Sequence, residues 1–155
     1  MAMLKCLSVS QPFADLIVSG KKTIELRKWN TNFRGEFLIH APTKIRAADC
    51  QRLGISASSL VVGVIVGKAV LYGVKEYHTK KELERDRKYH LAGTEFSGSK
   101  FGFMLKSAKK FAIPIPHKGQ LGFFDVTLPD SKIKDKQIAS EIFDEEYRTQ
   151  WINHH

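Results

Sequence analysis

Cysteine is almost missing from this chain: Cys6 and Cys50 are the only two in 155 residues. They form no C-x-x-C pair and are too few to frame a disulfide scaffold, so a reducing, cytoplasmic setting is expected. Long apolar runs are missing as well. None approaches the roughly 20 residues of a membrane-spanning helix, and the opening MAMLKCLSVSQP lacks the apolar centre of a signal peptide. No membrane partner is therefore expected. The six histidines never fall in H-x-x-x-H or H-E-x-x-H spacing, so no metal site and no other cofactor is expected. Neither a G-x-S-x-G turn nor a phosphate-cradling glycine motif occurs. Negative charge is in short supply: 16 acidic residues face 25 Lys and Arg, for a net charge of +9. That balance favours polyanionic partners, because neutralising phosphates releases counterions.

What is present reads as a chain of short elements with no repeat, low-complexity segment or linker, which argues for one domain over 1–155. Ser10 and Pro12 open a helix with Phe13, Leu16 and Ile17 inward, and Gly20 stops it. A strand runs from Lys22 to Trp29, a turn follows at NTNFRG, and a second strand at EFLIHAP. A short helix from Thr43 to Gly54 places Ile45, Ala48 and Leu53 inward. In SSLVVGVIVGKAVLYGVKEY, glycines 63, 67 and 73 interrupt a β-rich run, which suggests one bulged, curved strand or two strands. Thr79 and Glu82 form a capping box for a charged helix anchored by Leu83. FGFMLKSAKKFAIPIP reads as two short strands around a turn, and HKGQLGFFDVTL as the last strand. Ile138, Ile142, Tyr147 and Trp151 mark a C-terminal helix at about 132–153. Many short curved strands with few helices point to an α+β, mainly β, small barrel whose mouth makes a pocket.

The Lys22–Trp29 strand carries the chemistry. Ile24 and Leu26 point one way, while Thr23, Glu25, Arg27 and Trp29 point the other. Glu25 and Arg27 read either as a solvated surface pair or as the lining of a pocket, where a charged pair needs more than packing to explain it. An acid, a guanidinium and an indole in one row are the tools for holding a base. Lys21 reads as a surface lysine, whereas Lys22 opens the strand and reaches toward the mouth. A desolvated lysine loses its proton readily and acts as base or nucleophile. Among the histidines, His90 beside Tyr89 is the one to watch.

The run LSVSQPFADLIVSGKKTIELRKWNTNFRGEFLIHAP holds Gln11, Pro12, Gly20, Lys22, Glu25, Arg27, Trp29, Arg34, Gly35 and His40 in register. It resembles the opening of an ASCH domain, a PUA-like β-barrel family. YHLAG, FGFML and IPIPHKGQLGFFDV resemble later blocks, so the likeness spans roughly Leu4 to Val126. The resemblance implies a PUA-like barrel with peripheral helices and a cleft between the first helix and the Lys22–Trp29 strand. It implies an RNA or modified-nucleoside partner. In that reading Trp29 stacks on a base, Glu25 accepts from an exocyclic amine, Arg27 and Arg34 engage phosphate or base edge, and Lys21, Lys22 and His90 complete the surface. One subgroup hydrolyses acetylcytidine with a lysine, a threonine three residues later and a distal glutamate; other members resemble RNA-cleaving proteins. Lys22 matches that lysine, but Glu25 stands where the threonine would be. The alternative is therefore a hydrolase, either an amidohydrolase using Lys22 and Glu25, with Glu82, Glu84 or Glu95 as the distal acid, or a ribonuclease.

Overall fold

The computed structural model describes residues 2–94 and 98–128. The expected C-terminal helix and Glu95 lie outside the described residues. Six strands form one sheet in the order β2-β5-β4-β3-β1-β6. They are β1 (Ala2–Ser8), β2 (Ile24–Arg27), β3 (Gly35–Ala41), β4 (Val64–Glu76), β5 (Phe101–Pro116) and β6 (Phe123–Leu128). β1 runs parallel to β3 and antiparallel to β6, with Cys6 opposite both Leu38 and Phe124. Among the described residues four short α-helices accompany them: α1 (Phe13–Val18), α2 (Ala47–Leu53), α3 (Lys80–Arg85) and α4 (Arg87–His90). None of the described helices is long and apolar enough to cross a membrane.

Most of the expected elements form, with instructive differences. Ser8 ends a strand, β1, that the alternation did not announce. Ser10 does not cap α1 with its side chain; its carbonyl accepts from Phe13 N at 3.0 Å, and Gln11 Oε1 takes the Asp15 N–H at 2.9 Å instead. The buried Gln11 amide also donates to the Val61 carbonyl, so one side chain serves a helix start and a distant loop. On α2 the inward residues are Asp49 and Cys50, while Ala48 is exposed. Asp49 tolerates that position because Arg46 and Arg52 bond its two oxygens at 2.7 and 2.9 Å. The Thr79 capping box forms, with Glu82 N donating to Thr79 Oγ1 at 3.1 Å. The charged helix breaks at Asp86, which is buried and bound by Lys75 and Tyr77.

Glycine explains the curvature. β4 is one strand whose register against β5 shifts around Gly67 and Gly73. A Cβ at Gly67 would lie 2.2 Å from the Lys109 carbonyl and 2.7 Å from a Val18 methyl, so only glycine lets β5 and α1 close on the sheet there. β5 is likewise one strand rather than two around a turn; Ser107, at φ +52°, takes the left-handed conformation that lets it bend without stopping. The main core gathers Leu7, Phe13, Ile17, Phe37, Ile39 and Phe103 between α1 and the sheet. Cys6, Leu38, Ile65, Phe111 and Phe124 form a second cluster.

The expected barrel is not closed. β2 and β6 are the two edges of the sheet, and the ladder does not continue between them. β2 is four residues long and pairs only with β5 among the described residues. Side chains bridge the gap at one end: Trp29 meets Phe103 and Phe123 edge-on, with centroids 5.2 and 6.1 Å apart. Arg27 also donates to the Ser8 carbonyl at 2.8 Å.

Candidate functional site

That half-closed end holds a cavity of about 340 Å³. Its floor comes from the end of β1 and the start of α1 (Ser8, Val9, Ser10, Phe13), and one wall from Lys22, Glu25, Leu26, Arg27, Lys28 and Trp29. Arg46 and Ala92 complete it. β2 turns Ile24 and Leu26 into a separate cluster with Tyr77, Leu83 and Ala92, and that packing fixes which way Glu25 and Arg27 face.

Glu25 is the hub. Arg27 donates to its Oε2 from Nε at 3.1 Å and from a terminal nitrogen at 2.8 Å, a forked grip on one oxygen. Lys22 Nζ stands 3.4 Å from Oε1. A carboxylate offers about four acceptor sites, so bonding capacity remains. Lys22 is buried, with 2% of its surface exposed. Its amine also donates to the His90 carbonyl and lies 4.8 Å from the Phe13 ring centroid. Burial pulls the Lys22 ammonium below its ordinary value, and Glu25 only partly offsets this. Among the described residues no cluster of three His, Cys, Asp or Glu comes together to hold a metal.

Lys22, Glu25, Arg27 and Trp29 thus share one cavity, and the guanidinium of Arg27 lies 6.0 Å from the Trp29 ring centroid. Three other residues marked by the sequence do not line it. Lys21 is exposed. Arg34 is exposed and donates to the carbonyls of its own turn, Thr31 and Phe33. The His90 ring is turned away: Nε2 bonds the Leu83 carbonyl at 2.8 Å and Nδ1 accepts from Ala92 N at 3.0 Å, so only its backbone carbonyl serves the site. Burial holds the His90 imidazole below its ordinary value. Glu82 and Glu84 serve helix termini, through the Thr79 cap and the Arg87 ion pair, and lie outside the cavity.

The sequence reading missed Ser8 and the ring of His40. Ser8 Oγ lies 2.9 Å from His40 Nδ1, and His40 Nε2 lies 2.7 Å from the His117 carbonyl. A carbonyl only accepts, so Nε2 carries the hydrogen and Nδ1 receives the serine proton. Burial lowers the His40 imidazole below its ordinary value and keeps it neutral.

Residues 7–120 match the ASCH domain. No curated protein sequence matches the chain. Among solved structures it is similar to ASCH from Zymomonas mobilis, at 16% identity and a TM-score of 0.56, over 88% of this chain and 93% of that one. A serine-to-alanine mutant of that protein gives 18% identity and 0.58, over 88% and 91%. A tyrosine-to-phenylalanine mutant gives 16% and 0.55, over 88% and 93%. These likenesses speak to the fold, a mainly β sheet with few helices. With the family match spanning most of its length, the chain belongs to the ASCH domain family.

Proposed function

We propose that this protein binds RNA or a modified nucleoside by taking one base into the cavity beside Trp29. The observation that carries the reading is the Glu25 carboxylate, gripped by Arg27 and Lys22 on the wall of a cavity that also holds an indole. A fixed acceptor reads an exocyclic amine, and the indole offers a stacking surface. At about 340 Å³ the cavity sits near the lower end of ligand pockets, which suits one base. The net charge of +9 supports an anionic strand. The two cysteines are free and buried, which supports a reducing, cytoplasmic setting.

The test is equilibrium binding of short RNAs and of nucleosides. Trp29→Ala should lose roughly 1–3 kcal/mol, one base–aromatic stack, and leave the salt dependence unchanged. If wild type and Trp29→Ala bind equally well, the stacked base is wrong.

One observation favours a second reading, a hydrolase acting on an acylated base. Lys22 is buried on the cavity wall, and burial there lowers the cost of shedding its proton, though Glu25 partly offsets this. Neutral Lys22 would take a proton from a water attacking the acyl carbon. The carbon–nitrogen bond then breaks, and the departing amine gains a proton through Glu25. Incubation with acetylcytidine decides it: product from wild type and Lys21→Ala but not from Lys22→Ala supports turnover, and equal activity in both variants removes Lys22 from the chemistry.

A further inference from the structure

A second cavity, about 900 Å³ and open, lies against the first. Ser8 lines both. So does the loop between β3 and α2, which gives Pro42 and Thr43 to the larger cavity and Arg46 to the smaller. Ser8 is held from two sides, its carbonyl by Arg27 at 2.8 Å and its hydroxyl by His40 at 2.9 Å. It is therefore a fixed partition rather than a mobile gate. Gly119 closes tightly over it: a Cβ there would fall 2.6 Å from Ser8 Oγ and 2.8 Å from His40 Cε1.

The charge on the two sides has one sign. Among the described residues no acid lines the larger cavity, and its rim carries Lys118, which is exposed and has no carboxylate partner there. Among the described residues the single acid of the smaller cavity, Glu25, is matched by Lys22 and Arg27, with the exposed Lys28 in addition, while Arg46 is paired with Asp49. The larger cavity also has apolar walls, among them Pro42 and Leu121, the latter 99% exposed. A cationic rim beside an apolar surface, adjoining a base-sized hole across Ser8, fits the next unit of a single-stranded polyanion.

We propose that the larger cavity is a second nucleotide subsite. The protein then takes two consecutive nucleotides of a strand, with the linking phosphate passing Ser8 toward Lys118 and the second base lying against the apolar wall. This rests on the base-binding reading of the smaller cavity and narrows its ligand from a free nucleoside to a strand.

The experiment measures the dissociation constants of the four ribonucleosides and of the dinucleotides ApA, CpC, GpG and UpU. The proteins are wild type, Lys118→Ala, Thr43→Trp and, as a distant charge control, Lys81→Ala. Thr43 is exposed on the rim, so a tryptophan there fills the subsite without entering the core. Wild type and Lys81→Ala should bind the preferred dinucleotide about tenfold or more tighter than its nucleoside, through the linking phosphate near Lys118 and the second base's apolar contact. In Lys118→Ala and Thr43→Trp that ratio should fall toward one. Nucleosides that bind with no gain from the second nucleotide overturn the subsite alone, as does a full gain retained in both rim variants. Failure of nucleosides and dinucleotides alike overturns the base-binding reading on which the subsite rests.

Discussion

Replacing Glu25 with glutamine removes one charge and changes almost no volume, so the response reads the electrostatics of the site directly. Two cations face that carboxylate. Arg27 is partly exposed, keeps the Ser8 carbonyl, and can rebond a glutamine oxygen. Lys22 has no such recourse: it retains only the His90 carbonyl and the face of Phe13. At 3.4 Å and an effective dielectric of about 20, the lost attraction is about 5 kcal/mol. The alternative for Lys22 is to shed its proton. Discharging a lysine at pH 7 from an ordinary value of 10.5 also comes to about 5 kcal/mol at 1.36 kcal/mol per unit. Both routes set the same ceiling, and wild type already bears part of the burial penalty. Glu25→Gln should therefore unfold about 3–5 kcal/mol more easily at pH 7. The sign of the pH dependence follows from Lys22. Its folded value lies below its unfolded value, so the unfolded chain holds more protons in the window beneath 10.5, and stability rises with pH. Removing Glu25 widens that window, so the variant should recover toward wild type between pH 7 and 9. Urea unfolding at both pH values measures this. A variant within about 1 kcal/mol of wild type at pH 7, with no recovery at pH 9, would refute the coupling of Lys22 to Glu25.

The buried imidazoles of His40 and His90 resist protonation while the unfolded chain protonates near 6.5, so stability should be full above that value and fall as pH drops below it, by at most about 1.4 kcal/mol per unit for each histidine. A melting temperature unchanged from pH 7.5 to 5 would contradict their burial. Burial pushes the Cys6 thiol up to about 12, and Cys50 is buried too, so a thiol reagent should find neither in the native protein and both in urea. Rapid native labelling would show one of them accessible. Gly67→Ala should lower stability by about 1–3 kcal/mol or more through its clash with the Lys109 carbonyl, whereas Gly98→Ala meets no atom within 4 Å and should stay within about 0.5 kcal/mol. Equal urea midpoints for the two variants would remove the packing argument at Gly67.

Local patterns were legible where local physics decided the outcome. Phe13, Leu16 and Ile17 face inward on α1 as their spacing requires, and Gly63, Gly67 and Gly73 bracket the bends of β4. Glu25 and Arg27 fall opposite Ile24 and Leu26 because alternation in a strand leaves no other choice. Long-range partners were not legible. β1 is specified by two strands far away in sequence, so its own few residues say little. Asp49 breaks the apolar face of α2, and nothing local says that arginines at 46 and 52 will hold it there. The depth of Lys22 depends on a carbonyl contributed by His90, and the role of His40 depends on Ser8 and His117. A barrel was the natural reading of so many curved strands; whether the two edge strands meet is a long-range pairing that no local pattern announces, and here aromatic side chains rather than a ladder meet near the gap.

The position of β1 has a consequence for how the molecule is made. Of the described strands, the first to be synthesised lies inside the sheet, and one of its two partners, β6, is the last of them. Until β6 arrives, the side of β1 that will pair with it is an unpaired edge carrying the buried positions Cys6 and Leu7, the kind of surface that recruits stray strands. Such distant pairing also slows folding, since the chain must be closed before the contact is rewarded. Ser8, the last residue of β1, pairs with His40 of β3 rather than with β6, so the end of β1 that floors the cavity is set before β6 arrives. A nascent chain stalled before residue 123 would hold every residue that lines the smaller cavity while the rest of β1 still lacked its second partner.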